Sequence, residues 1–493
     1  LPSRTSYWLS KTACVFILNR CPMAMEDQCA GISRCQVLLD LLNDSDADHA
    51  DDATWVLTSS FVILTMQSGF GMLEMGSAAR GHEVNIMLKN VYDVVCGALA
   101  YYIVGFGISY GSPSNGFMGL GNFFVDASSS PTEGGLLFTS FIFQFSFAAT
   151  STTIVSGCLA MRCRFLVYCI YSFYSVIVYS FVAHWVWADT GWLRQLGAHD
   201  FAGSGPVHLL GAMNGLIGSL WVGPRLGRFD GTRPKSDFDP SSPASILFGL
   251  FMLWWGWIGF NCGSSFGITN KKWLVATRCG VTTIIATAGG GLAALPFTKI
   301  RSKGKVLVAT TATCACITPH EALIIGFIGA LVALLGNYVL EFKLKIDDPV
   351  GAVGVHGAAA IWGVIAVGLF ADSNLPSIEV KDGLFRGGGF ELLGVQMLVL
   401  LTIIGWSVLT MMPFYYLVGI MFSGDWRSPR DGLRVDPRDE VDGLDRAMHG
   451  CSPKNRGKVP GMSQPTKSIS FANERSEAQD IDIDDKGQPE ISV

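Results

Sequence analysis

Residues 200–217 read Asp200-Phe-Ala-Gly203-Ser-Gly-Pro-Val207-His208-Leu-Leu-Gly-Ala212-Met-Asn-Gly215-Leu-Ile217. Residues 348–365 read Asp348-Pro-Val-Gly351-Ala-Val-Gly-Val355-His356-Gly-Ala-Ala-Ala360-Ile-Trp-Gly363-Val-Ile365. Seven positions coincide at a constant offset of 148 residues. Glycine and alanine match easily by chance in apolar segments, but an aspartate and a histidine in each copy do not.

The surrounding chain sets the context for this repeat. Of 493 residues, 49% are hydrophobic and 15% charged, whereas a soluble chain carries about 25% charged residues. The charges crowd into short loops and the final stretch. Apolar runs near 20 residues, enough for about 30 Å of hydrocarbon, occur at 54–76, 84–110, 135–160, 165–187, 206–224, 243–265, 274–297, 304–318, 321–342, 349–371 and 391–422. The expected fold is therefore an all-α polytopic membrane protein with eleven transmembrane helices in a lipid bilayer. The net charge of −5 points to no nucleic-acid partner.

The repeated stretches fall on the fifth and tenth segments. Segments five apart cross in opposite directions, so segments 1–5 and 6–10 form an inverted repeat and the eleventh is an addition. Such repeats place a functional site near the midplane where the halves meet, which brings His208 and His356 together. One set of loops holds 13 Lys and Arg, the other 6. The richer set belongs inside, placing the N-terminus outside and the C-terminus in the cytoplasm. Residues 1–53 read as an extracellular segment of uncertain start and 54–422 as the membrane domain. Residues 423–451 read as a cytoplasmic segment able to fold against that domain, and 452–493 as a polar, disordered tail.

Ionisable residues within apolar spans point to function. Two facing imidazoles can hydrogen-bond, one donating and one accepting, and so line a pore through which a small neutral amine passes. A hydrated ion would have to shed its water at great cost. Two histidines without a third ligand make a poor zinc site, so no metal or cofactor is expected. Phe143, Phe147, Trp187 and Phe260 offer aromatic faces to a cation, and Ser264 adds a hydroxyl acceptor. Asp200 and Asp348 stand where they can cap helix amides, and Asp200 can also draw a cation electrostatically. His184, beside Trp185, reads as interfacial. Among the cysteines, Cys14, Cys21, Cys29 and Cys35 form disulfides only if that segment faces an oxidising compartment. No nucleophile–base pair or metal triad appears in the spans, which argues against an enzyme.

Gly69-Phe-Gly-Met-Leu-Glu-Met-Gly-Ser77, Asn85-Ile-Met-Leu-Lys-Asn90, Phe143-Gln-Phe-Ser-Phe-Ala148 and Trp257-Ile-Gly-Phe-Asn-Cys-Gly-Ser264 resemble the ammonium transporter (Amt/Mep/Rh) family. The two histidine stretches resemble it too. The resemblance covers about 54–450 and implies eleven helices, a plasma-membrane homotrimer and a pore in each subunit. It implies that Phe147 and Phe260 form an outer gate and that Trp187, Ser264 and Phe143 recruit the cation. Asp200 would be a nearby carboxylate and His208 with His356 the pore pair. Trp187 and the paired histidines match the Amt branch, leaving a Rh-like NH3/CO2 channel or an ammonium sensor as alternatives. Residues 432–450 resemble a regulatory segment that contacts neighbouring subunits and possible cytoplasmic regulators. Asp189 replaces a glycine after the tryptophan, and Ala447 stands where plant members carry a phosphorylatable threonine.

Overall fold

The computed structural model describes residues 45–126, 131–301 and 312–451, which belong to one compact unit. The described residues form helices joined by loops, with only isolated bridges and no named strand. The helices are α1 Ser45–Ser77, α2 Glu83–Tyr110, α3 Pro131–Cys158, α4 Phe165–Trp187, α6 Pro243–Gly263, α7 Lys272–Arg301, α8 Pro319–Lys343, α9 Val353–Phe370 and α10 Glu391–Ser423. Between α4 and α6, a π-helical turn Ser204–Leu209 continues into Leu210–Val222; together these are α5.

Nine of these helices are long and apolar enough to cross a membrane, α5 being the exception. Most of α5 is buried, with exposure confined to its last turn at Leu220 and, in part, to Met213, Leu216 and Trp221. A helix wrapped by other helices has no lipid face to satisfy, so Ser204, His208 and Asn214 are tolerated there. The expected eighth segment, 304–318, lies mainly outside the described residues, and its last residues 312–317 form turns. The cysteines before residue 45 and the tail 452–493 lie outside them as well.

Helix starts follow local chemistry. Ser242 caps α6, accepting from Ser245 N–H at 3.2 Å, with Pro243 in the first turn. Glu321 reaches back to accept from Thr318 N–H at 2.8 Å and so caps α8. The first helix starts at Ser45, ahead of the expected boundary at 54. Asp48 stands in its first turn, where a carboxylate favours the positive end of a helix, and Asp52 accepts from Ile268 N–H at 2.7 Å and Thr269 N–H at 2.8 Å.

The packing repeats as the inverted halves require. The first helix packs along α6, and α5 packs against α9. The second helix packs on α4, just as α7 packs on α8, which is the ninth expected segment. Glycine permits the closest approach: a β-carbon on Gly249 of α6 would lie 2.5 Å from Leu73 N of α1. Close backbone packing of this kind takes the place of the hydrophobic drive that lipid removes.

The chain after α10 folds back onto its own membrane domain. Val435 N–H donates to Arg162 O at 3.0 Å and Arg164 N–H to Leu433 O at 3.0 Å. The Asp445 carboxylate accepts from Val84 N–H at 3.1 Å and Asn85 N–H at 2.8 Å, capping α2.

Candidate functional site

Each copy of the repeat builds the same local device. Asp200 Oδ1 accepts from Gly203 N–H at 2.7 Å and Ser204 N–H at 3.0 Å, and its Oδ2 from Gly205 N–H at 2.6 Å. Asp348 Oδ1 accepts from Gly351 N–H at 2.9 Å and its Oδ2 from Val353 N–H at 2.8 Å. Gly203 and Gly351 both take positive φ, 88° and 80°, where a side chain is strained. Each carboxylate thus caps a π-helical turn, Ser204–Leu209 or Val353–Ala358, and each turn carries a histidine.

The two turns meet in the interior. His208 and His356 approach Nδ1 to Nδ1 at 3.1 Å with their rings 7° from parallel. One Nδ1 must donate and the other accept, so the two rings hold complementary tautomers. The outward Nε2 atoms are then one donor and one acceptor. His208 is 3% exposed, and its Nε2 has no hydrogen-bond partner among the described residues.

Aromatic rings continue the line on one side. Phe260 lies 5.8 Å from His208 by ring centroid and stacks on Phe147 at 3.8 Å and 14°. Phe147 meets Trp187 edge-on at 5.8 Å and Phe143 at 4.8 Å. Trp187, the last residue of α4, is half-buried and donates its indole N–H to Asp200 O at 2.7 Å. Ser264 follows Gly263, where a β-carbon would lie 3.0 Å from the Phe143 ring, and its hydroxyl donates to Phe260 O at 2.9 Å.

Two rings extend the line beyond the residues the sequence singled out. Phe70 of α1 sits 5.8 Å from His356, and Phe266 sits 4.8 Å from Phe143 at the other end. A phenylalanine in an apolar run looks the same whether it faces a pore, lipid or another helix. Their nearness to the signature motifs at Gly69 and Ser264 was the only available signal.

His184 is buried rather than interfacial. Its Nδ1 lies 2.8 Å from Ser109 O and its Nε2 2.7 Å from Asn115 O, tying the end of α2 and the loop after it to α4. Asp189 is turned to Arg194 at 3.2 Å. No group of three or more metal-type ligands occurs among the described residues.

Asp200→Asn tests the capping device. The amide keeps one acceptor but sets an N–H group against Gly205 N–H. The expected loss is about 1–2 kcal/mol of stability, read as a lower melting temperature of the purified protein. An unchanged melting temperature would mean that the cap contributes nothing.

Paired helix contacts related by an internal repeat, with a histidine pair in the interior, His208 buried and His356 half-buried, and aromatic rings leading to it, define a membrane transporter or channel. A model of the Ammonium Transporter Family matches residues 54–453, and the chain belongs to that family. It is 39% identical over 446 residues to putative ammonium transporter 3 of Caenorhabditis elegans, covering 86% of this chain and 63% of that protein. The chain thus spans less than two thirds of that relative's length. Putative ammonium transporter 2 of the same species is 38% identical, with 82% and 81% covered, and ammonium transporter 1 member 2 of Arabidopsis thaliana is 36% identical, with 80% and 84% covered. Among solved structures, a sensor Amt protein superposes with a TM-score of 0.71 at 29% identity over 82% of this chain and 99% of that one. Mep2 of Candida albicans superposes with a TM-score of 0.68 at 25% identity over 79% and 87%.

Proposed function

We propose that this protein moves ammonium across the plasma membrane, taking up NH4+ beside Trp187 and passing NH3 along His208 and His356. The observation that carries this reading is the unbroken line Trp187–Phe147–Phe260–His208–His356. Its outer end presents aromatic faces and its inner end presents one donor and one acceptor.

The physical steps follow from the line. Aromatic faces at Trp187, Phe143 and Phe147 attract an ammonium cation by about 0.5–2 kcal/mol each, and Ser264 lies at the same end. The stacked Phe147 and Phe260 rings close the way to a hydrated ion, so passage requires loss of the proton or of the water shell. Beyond them, ammonia both accepts and donates hydrogen bonds, and the complementary Nε2 atoms match it. Asp200 holds the turn that carries His208 and adds negative charge near the mouth. The proton either crosses along the histidines or is released outside.

In this reading the N-terminus is outside and the C-terminus cytoplasmic, as the loop charges favour, and three copies assemble. Residues 423–451 would be the cytoplasmic regulatory segment. Recording ammonium-evoked current together with internal alkalinisation in oocytes tests the proposal. Saturable ammonium entry supports it, and absence of both signals with the protein at the surface overturns it. Current marks net ammonium transport, whereas NH3 flux without current marks the electroneutral form.

A sensor is the second reading, favoured by the likeness to a sensor Amt protein and by the docked chain after α10. Binding with little flux, and a signal lost on truncation after 423, would establish it in place of transport. CO2 permeability without saturation by ammonium would instead mark the gas channel.

Trp187→Ala is expected to raise the half-saturating ammonium concentration about fivefold, equivalent to about 1 kcal/mol of lost cation attraction. Maximal flux should change less. An unchanged half-saturation would remove Trp187 from recruitment.

A further inference from the structure

A second group of buried ionisable residues lies off the histidine line, among α1–α4. Glu74 of α1 is 2% exposed, and Lys89 and Asp93 of α2 are 0% exposed. Glu74 Oε2 lies 2.5 Å from Ser156 Oγ of α3 and accepts from Asn90 Nδ2 at 2.9 Å. Asp93 accepts from Tyr168 Oη at 2.8 Å and lies 2.5 Å from Ser172 Oγ, whose contact to Tyr168 O is the longer one at 3.0 Å, so that hydroxyl gives its hydrogen to Asp93. Lys89 donates to Cys163 O at 3.0 Å over the Tyr168 ring.

The distances around Ser156 bear on what Glu74 carries, since a short local contact competes for the serine's hydrogen. Ser156 Oγ also lies 2.6 Å from Thr153 O. A carbonyl can only accept, and a serine has one hydrogen to give. With that hydrogen on Thr153 O, the short contact to Glu74 needs a hydrogen from the carboxyl. The charges agree: two carboxylates stand against one ammonium, and burying an unpaired charge is expensive. The nearby Arg162 turns its donors to Gly223 O, Ala160 O and Asp347 O instead. A separate sign is Asn90 Oδ1, a buried acceptor without a partner beside the carboxyl, on the amide that already bonds Glu74.

We propose that Glu74 is a proton-binding site inside the membrane domain, apart from the histidine line, holding one hydrogen against Ser156 and exchanging it with the cytoplasmic side. Glu74 lies within a turn of the end of α1 and Ser156 within a turn of the end of α3. The path to the surface that the loop charges place inside is therefore short. The pore is close but separate: a β-carbon on Gly157 would lie 3.2 Å from Glu74 Oε1 and 2.9 Å from Val350, just before the His356 turn. The titratable groups around the carboxyl are Lys89 and Asp93 on α2, Cys158 on α3 and Tyr168 on α4; Arg162 and Asp348 stand in the adjoining turns. Along α1 itself, α6 brings only Cys262, near its far end.

This inference does not depend on which form of ammonium crosses. Infrared spectra of the purified protein in lipid test it directly. The wild type should show a protonated-carboxyl C=O band that shifts in heavy water, that Glu74→Gln removes and that Asp93→Asn leaves in place. A band untouched by Glu74→Gln, or unmoved in heavy water, overturns the proposal. Ser156→Ala reports from the other partner: loss of the acceptor should shift the same band, and an unmoved band overturns the assignment.

Discussion

Replacing His208 with alanine is expected to lower ammonium flux about tenfold to a hundredfold while the protein still folds and reaches the surface. The substitution removes one Nε2 from the line and leaves His356 Nδ1 without its partner at 3.1 Å. A buried polar group left unsatisfied costs about 1–3 kcal/mol, and each 1.4 kcal/mol is about a factor of ten. Ammonia crossing an apolar stretch without that hydrogen-bonding partner meets a barrier of this order. Phe260, whose ring centroid is 5.8 Å away, also loses packing, so Phe260 and His208 should couple in a double-substitution cycle. His356→Ala should act similarly because the pair is reciprocal. The measurement is initial ammonium uptake per surface copy, with methylammonium as a second substrate to detect altered selectivity. Unchanged uptake and selectivity in both variants would remove the histidines from the mechanism.

The sequence carried the histidine pair because one costly residue type recurred at a fixed spacing. Asp200 and His208 recur as Asp348 and His356, and chance seldom supplies such a pairing in apolar helices. Span positions were also legible, since a continuous apolar run long enough to cross hydrocarbon has few other uses. Boundaries were less so. The first described helix runs from Ser45, and this extension escaped the reading because a charged stretch outside hydrocarbon leaves no hydropathy signal. The segment Ser204–Val222 looks weaker than its neighbours because burial among helices relaxes the demand for apolar residues.

Partners across the fold were the least legible part. Nothing local to Phe70 tells of His356, 286 positions on, and nothing in the motif around Glu74 tells of Ser156. His184 looked interfacial because it ends an apolar run beside tryptophans, yet the last turn of α2 and the loop after it cover the side chain and each supply a carbonyl. The stretch after α10 was readable as able to dock. Its anchors, Asp445 on α2, Arg434 on Val222 O at 3.0 Å and Glu440 on Leu226 N–H at 2.7 Å, appear only in three dimensions.

Asp347→Ala is expected to destabilise the protein by about 3–5 kcal/mol, the range for breaking one partner of a buried ion pair. Asp347 accepts from Arg225 N–H, Nε and Nη2, each at 2.8 Å, and Arg228 Nε stands 3.6 Å away. Its side chain is 2% exposed and that of Arg225 6%, so removing the carboxylate strands a guanidinium without water to receive it. Burial alone would raise the carboxyl's pKa, but the Arg225 charge and hydrogen bonds, with Arg162 nearby, hold it well below the ordinary carboxylate range. A depressed folded-state value means stability that is fully present above the unfolded value of about 3.9 and is lost as pH falls through the folded value. The cluster should therefore hold at constant strength between about pH 5 and 8 and weaken only in strong acid. Melting temperatures of the purified protein across that range are the measurement. A double replacement, Arg225→Met with Asp347→Leu, should recover part of the loss, because Arg225 is no longer stranded, while the buried Arg162 keeps its charge beside the site. If the single and double variants melt alike, the loss comes from the backbone between α8 and α9 and not from the ion pair.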